Sequence, residues 1–140
     1  MPHGFAQNYL GFLLAKASHI TSSEFHLRLK QYQIPISSWR ILASCWDDKR
    51  TVSELVEMVL LNQPTVSKSL DRLAKDGLLE RNKDIENRRQ VFVSLTPKGK
   101  ALMEELIPLA NTHEQQTFSH LSQEEKQQLT ALLQKTITGK

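Results

Sequence analysis

The hydrophobic positions between Thr51 and Gly99 change period, and this stretch organises the rest of the chain. Apolar residues recur at helical spacing over residues 52–60, which predicts a short helix with one inward face. A second helical pattern starts at Pro64, a residue that suits the first turn of a helix, with Asn62 or Gln63 as its N-cap. The two patterns with a short turn between them predict a helix-turn-helix.

Beyond this pair of helices the hydrophobic period shortens to that of β-strands. Gly77 supplies a left-handed residue that ends the second helix, and strands are predicted at 78–82 and 91–95. The loop KDIENRRQ between them contains three cations, and Ile85 is its only large apolar residue. We therefore expect a hairpin whose basic loop projects into solvent, which after a helix-turn-helix makes a winged helix.

Amphipathic helices are predicted on both sides of this lobe. One long helix covers residues 5–31, and a short one follows Pro35. After the hairpin, a helix with a proline kink at Pro108 extends to about residue 121, and the capping box from Ser122 to Glu125 opens the last helix. The terminal helices have more apolar surface than a small lobe could cover, and a surplus of this kind indicates a partner interface.

The second helix of the pattern carries a polar stripe opposite its apolar face. Residues 62–100 hold nine Lys/Arg and five Asp/Glu, a net charge of +4, whereas the flanking segments sum to +1 and −2. A helix fits the major groove of DNA, and a slim arginine-bearing loop can enter the minor groove. The predicted contacts to double-stranded DNA are Thr65, Ser67, Lys68, Ser69, Arg72 and Lys75 on the helix, with Arg88 and Arg89 in the loop. Alternatively, this stripe is an ordinary solvated helix face.

Arg81 has a second interpretation besides a phosphate contact. Its place in the first strand of the hairpin allows it to tie the hairpin to a carboxylate. In that case it has a structural role.

The segments LDRLAKDGLLER and NRRQVFVSLTPKG together resemble the MarR family of bacterial transcription regulators. Arg89 matches the arginine of the family's wing motif, but Asn87 stands where an acidic residue is usual. The resemblance covers essentially the whole chain. It implies a homodimeric regulator, commonly a repressor, that binds a pseudo-palindromic operator and is released by a small effector, often an aromatic carboxylate or a related thioester.

The expected architecture is therefore mainly α with a small β-hairpin wing. We expect a single MarR-like domain over residues 1–140. Residues 36–99 would form the winged helix-turn-helix DNA-binding lobe, and residues 1–35 and 100–140 would form a helical dimerisation region.

The resemblance also implies an effector pocket where the first, second and fifth predicted helices meet the lobe. Trp39 and Arg40 offer an aromatic plane and a cation there, although Trp39 could equally be core and Arg40 a surface charge or a phosphate contact. The candidate effector-binding residues are His19, Ser23, His26, Ser38, Trp39 and Arg40.

Other classes of protein fit the sequence less well. A winged helix can also serve as a protein-interaction module, and Cys45, the only cysteine, is either inert packing or a sensor of oxidation. We find no paired nucleophile and base, no glycine-rich phosphate loop and no metal-ligand spacing, and therefore expect neither an enzyme nor a cofactor. The absence of a long apolar run and of a basic N-terminal leader favours a cytoplasmic protein without membrane contact.

Overall fold

A computed structural model describes residues 4–87 and 89–140 of the chain. Among these residues the helices are α1 (Phe5–Asn8), α2 (Leu10–Lys30), α3 (Ile36–Ser44), α4 (Val52–Val59), α5 (Gln63–Lys75), α6 (Pro97–Thr117) and α7 (Gln123–Thr138). The strands are β1 (Arg50–Thr51), β2 (Leu79–Lys83) and β3 (Val91–Leu95). None of the helices in this described part is both long and apolar enough to cross a membrane.

The mainly helical fold with a small wing is confirmed, with two differences from the predicted elements. The sheet has three antiparallel strands in the order β1-β3-β2, because Arg50 and Thr51 pair with Val93 and Phe92. A strand of two residues is too short to show an alternating pattern, which is why the sequence did not reveal it. The predicted first helix is also interrupted, since Tyr9 adopts an extended conformation between α1 and α2.

One hydrophobic core joins the winged helix to the outer helices. Its fully buried side chains come from α2, α3, α4, α5, β3 and α6, and include Leu29, Ile41, Leu55, Val66, Val93 and Met103. Because α2 and α6 each contribute to the same core as the helix-turn-helix, a shift of either outer helix must disturb the packing beneath α5.

The wing is attached to α5 and α6 by the side chain of Thr96. Its hydroxyl donates to the carbonyl of Gly77 at 2.6 Å and accepts from the amide of Gly99 at 3.0 Å. The amide of Thr96 donates to the carbonyl of Leu78 at 3.1 Å. The end of α5, the end of β3 and the start of α6 therefore meet at one residue, which also caps α6.

Gly99 lies where the start of α6 comes close to the backbone of Leu78, and this close approach requires glycine. It is buried against the loop that follows α5, and a Cβ atom added here would lie 2.1 Å from the carbonyl oxygen of Leu78. Backbone cannot move aside as the tip of a flexible side chain can, so only glycine allows this close approach.

We expect Gly99→Ala to lower the free energy of unfolding by at least about 2 kcal/mol, because the added methyl group overlaps backbone. Gly11→Ala is the matched control, since a Cβ at that helical position meets only the ring of Tyr9, at 3.5 Å. The control should be neutral or stabilise by up to about 1 kcal/mol. Urea denaturation of both variants measures the difference, and equal stabilities would show that the contact at Leu78 is easily relaxed.

Candidate nucleic-acid interface and effector pocket

Helix α5 presents its polar stripe to solvent because its other face is buried. The side-chain oxygen of Asn62 caps the helix by accepting from the amide of Thr65 at 2.9 Å, and a proline occupies the first turn. Val66, Leu70 and Leu73 are buried on the inner face. The opposite face holds the helical residues predicted to contact DNA. Lys68, Arg72 and Lys75 are exposed there, and Thr65, Ser67 and Ser69 are half-buried.

Five of the six residues of this stripe lie toward the two ends of α5, and Ser69 lies between them. Thr65, Ser67 and Lys68 lie in its first turns, whereas Arg72 and Lys75 lie in its last turn and border an open groove of about 590 Å³ toward the α2–α3 connection. Lys98 also borders this groove, and its ammonium donates to the carbonyl of Asp76 at 2.9 Å. The two ends of the stripe therefore face different surroundings.

The wing loop is shaped by its own polar groups. The amide of Asp84 donates to the carbonyl of Gln90 at 3.0 Å, and the carboxylate of Asp84 accepts from the amide of Glu86 at 3.1 Å. The side chain of Asn87 accepts from the amide of Arg89, also at 3.1 Å. Asn87 thus uses its oxygen to form a turn, which is a task that an acidic residue could also perform. Ile85 plays no part in packing, being 94% exposed.

Arg89 is exposed at the end of this loop, whereas Arg88, the other predicted wing contact, lies outside the described residues. A side chain that extends from a self-supported turn is available to a partner without rearrangement of the hairpin. Arg89 is accordingly an exposed cation on a loop that is already shaped.

Arg81 has the structural role that the sequence allowed. Its guanidinium lies 2.8 Å from the carboxylate of Asp71 and so connects β2 to α5. Both side chains are substantially exposed, and such pairs contribute at most about 1 kcal/mol to stability. The contact is one link between the wing and the helix beside it.

A small cavity of about 260 Å³ opens where α2, α3 and α6 meet. Its lining residues are Ser18, Thr21, Ser22, Phe25, Ile36, Trp39, Arg40, Ala110 and His113. An engineered apolar cavity of about 150 Å³ is known to hold a benzene molecule, so this one has room for a single substituted ring. Exposed Arg40 supplies a cation at its edge.

Only Trp39 and Arg40 of the six predicted effector residues line this cavity. His19 and Ser23 are exposed on another face of α2, where the hydroxyl of Ser23 donates to the carbonyl of His19 at 2.6 Å. His26 is half-buried outside the cavity, and buried Ser38 borders the larger groove beside α5 instead.

The face of α2 that lines the cavity is one residue out of register with the predicted face. The lining positions on α2 are 18, 21, 22 and 25, whereas the predicted positions are 19, 23 and 26. One residue is 100° of rotation on a helix, so the hydrophobic stripe alone did not fix which polar residues face α3 and α6.

His113 is one of several cavity residues that were not predicted from the sequence, and it is the one among them with an ionisable side chain. Its ring nitrogen Nε2 lies 2.6 Å from the carbonyl oxygen of Thr21, and its ring centroid is 5.5 Å from that of Phe25. Phe25 in turn packs edge-on against Trp39 at 5.0 Å. The helical pattern of the sequence could have indicated this position, because His113 continues the inner face of α6 that begins at Met103 and Leu106.

His113 and His120 do not share one helix, because α6 ends at Thr117. Within residues 4–87 and 89–140, no three histidine, cysteine or acidic side chains are close enough together to hold a metal ion.

Cys45 is buried at the end of α3. Burial raises the pKa of its thiol to about 11, although the positive charge of Arg50 acts in the opposite direction. The thiolate is the form that reacts with oxidants, and near neutral pH almost none of the Cys45 side chain is in this form. The site therefore favours packing over redox sensing.

The two ends of the chain expose large apolar side chains. The ring of Phe5 stacks on that of Tyr9 with centroids 4.9 Å apart, and Tyr9 packs edge-on against Phe12 at 5.1 Å. On α7, Leu132 is 61% exposed and Ile137 is 81% exposed. A surface of this kind is costly in water and favours an interface with another chain.

Comparison with known proteins places this architecture in a family. The model of the MarR family matches residues 34–91. The transcriptional regulator MgrA of Staphylococcus aureus is 31% identical over 109 residues, which cover 77% of this chain and 73% of MgrA. The homoprotocatechuate degradative operon repressor of Escherichia coli is 27% identical over 129 residues, 91% of this chain and 87% of the repressor.

Among solved structures, BpsR of Bordetella bronchiseptica superimposes with a TM-score of 0.83 at 29% identity, and the match covers 97% of both chains. That structure concerns the regulation of DNA binding by 6-hydroxynicotinic acid. Given the agreement of sequence and fold, this chain belongs to the MarR family of winged-helix transcriptional regulators.

Proposed function

We propose that this regulator is a homodimeric repressor that binds a pseudo-palindromic operator and releases it when a small aromatic acid occupies the cavity between α2, α3 and α6. The observation that carries the proposal is the outward polar stripe of α5 beside a basic wing loop that is already shaped. The two elements match the widths of the major and the minor groove.

The position of each cation suggests its role on DNA. Thr65, Ser67 and Lys68 lie in the first turns of α5, the part of a recognition helix that reaches base edges in the major groove. Arg72 and Lys75, at the other end, are better placed for phosphates, which fix the register of the protein on the duplex. Arg89 extends from the wing toward the minor groove.

Pairing of two chains would provide the second half of the DNA site. The exposed apolar side chains of α1, the start of α2, and α7 would be buried between two copies. Two recognition helices about 34 Å apart would then lie in successive major grooves of a pseudo-palindrome.

The effector assignment rests on the chemistry of the cavity. Trp39 and Phe25 provide ring surfaces, and Arg40 can bind a carboxylate. Two relatives support this class of ligand, since BpsR responds to 6-hydroxynicotinic acid and the Escherichia coli protein represses an operon for degradation of homoprotocatechuate. An acid bound between α2, α3 and α6 would shift the outer helices relative to the DNA-binding helices.

Two alternatives have less support. A protein-interaction module would need an aromatic or aliphatic anchor on the exposed face of α5, which instead carries hydroxyls and cations. A repressor that senses oxidation through Cys45 would need an accessible thiolate, whereas this thiol is buried with a raised pKa.

Loss of a wing arginine should change the salt dependence of DNA binding. We expect Arg89→Ala to reduce the slope of log K against log salt by about 0.9, if the guanidinium neutralises one phosphate. Arg81→Ala is the control with the same loss of charge on the same hairpin, and its slope should stay unchanged because Arg81 is paired with Asp71. Fluorescence anisotropy on one operator fragment at several salt concentrations measures both. Equal slopes for both variants would mean that the wing acts only through its diffuse charge.

A charged face on α7 should separate the dimer. Leu132→Glu combined with Ile137→Glu should yield a monomer by light scattering, because two carboxylates would be buried in each half of the interface. Operator affinity should fall with it, since one recognition helix would be left without its pair. Ile85→Glu is the control for oligomeric state, because Ile85 is equally exposed but lies on the wing. A double variant that stays dimeric would place the interface elsewhere.

Removal of the cation at the cavity should weaken binding of the aromatic acid and leave DNA binding unchanged. We expect Arg40→Ala to reduce salicylate affinity by at least about tenfold, the size of one hydrogen bond to a charged group. Arg28→Ala, which removes an exposed arginine of α2 outside the cavity, should bind salicylate as the wild type does. Isothermal titration measures binding, and anisotropy checks that operator affinity is retained. If both variants bind salicylate like the wild type, the acid does not use this cavity.

A further inference from the structure

We propose that His113 selects aromatic acids that carry a ring hydroxyl, by accepting a hydrogen bond from that hydroxyl at Nδ1. The inference rests on the proposed effector pocket and goes further, because it names the substituent that this chain would recognise. It concerns the same cavity of about 260 Å³, in which His113 is the half-buried polar residue of α6.

The hydrogen bond to Thr21 determines the tautomer of His113. Nε2 lies 2.6 Å from the carbonyl oxygen of Thr21, and a carbonyl oxygen can only accept. Nε2 must therefore carry the proton. In the neutral imidazole Nδ1 is then left with a lone pair and no hydrogen, so that it acts solely as an acceptor.

That acceptor is not used by the residues the structure describes. The hydrogen bonds of the His113 ring within residues 4–87 and 89–140 both involve Nε2, the second being a contact of 3.3 Å with the hydroxyl of Thr117. Among the described residues no side-chain nitrogen or oxygen is both buried and unpaired, so Nδ1 is open to solvent. A ligand that displaces this solvent without supplying a donor would leave the acceptor unpaired, and it would bind more weakly than a ligand that supplies one.

The walls of the cavity hold the ring of His113 in place. Phe25 lies against it at 5.5 Å between centroids, and Trp39 packs against the far side of this aromatic group. The contact with Phe25 and the hydrogen bond to Thr21 fix the orientation of the imidazole, so that it does not turn to form another hydrogen bond. A phenolic hydroxyl is a donor of suitable size on a flat ligand, whereas a methoxy group or a bare ring edge offers no donor.

Arg40 and His113 would thus recognise different ends of one molecule. The guanidinium of Arg40 binds the carboxylate, the apolar walls take the ring, and the imidazole binds the hydroxyl. The ligand class that satisfies all three is a hydroxylated single-ring aromatic carboxylate. Of simple probes, the three hydroxybenzoate isomers test which ring position reaches Nδ1.

The experiment compares matched acids on matched variants by isothermal titration. The wild-type protein should bind one hydroxybenzoate isomer about tenfold more tightly than benzoate and than the corresponding methoxybenzoate, as expected for one satisfied hydrogen bond. In His113→Phe, which keeps the ring packing, this preference should fall below about twofold while benzoate still binds. His120→Phe, outside the cavity and beyond α6, should keep the wild-type preference.

The ratio of affinities separates recognition from a structural role. If His113 only supported the fold, His113→Phe would weaken all the acids by one factor and leave the preference intact, which overturns the inference while the pocket stands. If none of the acids binds the wild type, the proposed effector pocket fails and the inference with it. Operator binding by the wild type is measured separately and tests the DNA-binding proposal alone.

A measurement on the wild type covers the case in which His113→Phe does not fold. Nitrogen chemical shifts of the imidazole show which ring nitrogen carries the proton. The preferred hydroxybenzoate should shift Nδ1 of one histidine whose Nε2 is protonated, and benzoate should not. No such shift, or a shift of equal size with both acids, would contradict the proposed contact.

Discussion

The hydroxyl of Thr96 is the contact on which the geometry of the DNA-binding surface depends. Through its bonds to Gly77 and Gly99 it fixes the end of α5, the return of the wing and the start of α6 at one point. The ion pair between Arg81 and Asp71 adds a second, weaker attachment of the wing to α5. Helix and wing are therefore attached to each other at two places.

The aromatic cavity lies between helices of the same framework. Its walls belong to α2 and α6, which reach toward the ends of the chain, and to α3, which packs beneath the helix-turn-helix. A ligand changes an equilibrium only through contacts that differ between two states. A cavity between helices of both groups is suited to that purpose, since a rigid ring placed there resists one arrangement of the helices and supports another.

Much of this architecture followed from hydrophobic period and capping residues. The glycine after α5 and the capping box at Ser122 appear as predicted. The structure decides two choices that the sequence left open, with Asn62 as the N-cap of α5 and Arg81 linked to a carboxylate. The strand at Arg50 was too short to leave a pattern. The cavity residues of α2 were misjudged because a helical stripe is broad and its centre is set by tertiary packing, which no single stretch of sequence contains.

The shared core limits the ways in which such a regulator can change its operator preference. Leu29 of α2 and Met103 of α6 are both fully buried in the core that they share with the helix-turn-helix. A DNA-reading segment transplanted from a relative would arrive without the partners that its inner surface was shaped to meet. New operator preferences are therefore more easily acquired by exchanges on the outer face of α5 than by wholesale recombination of the lobe.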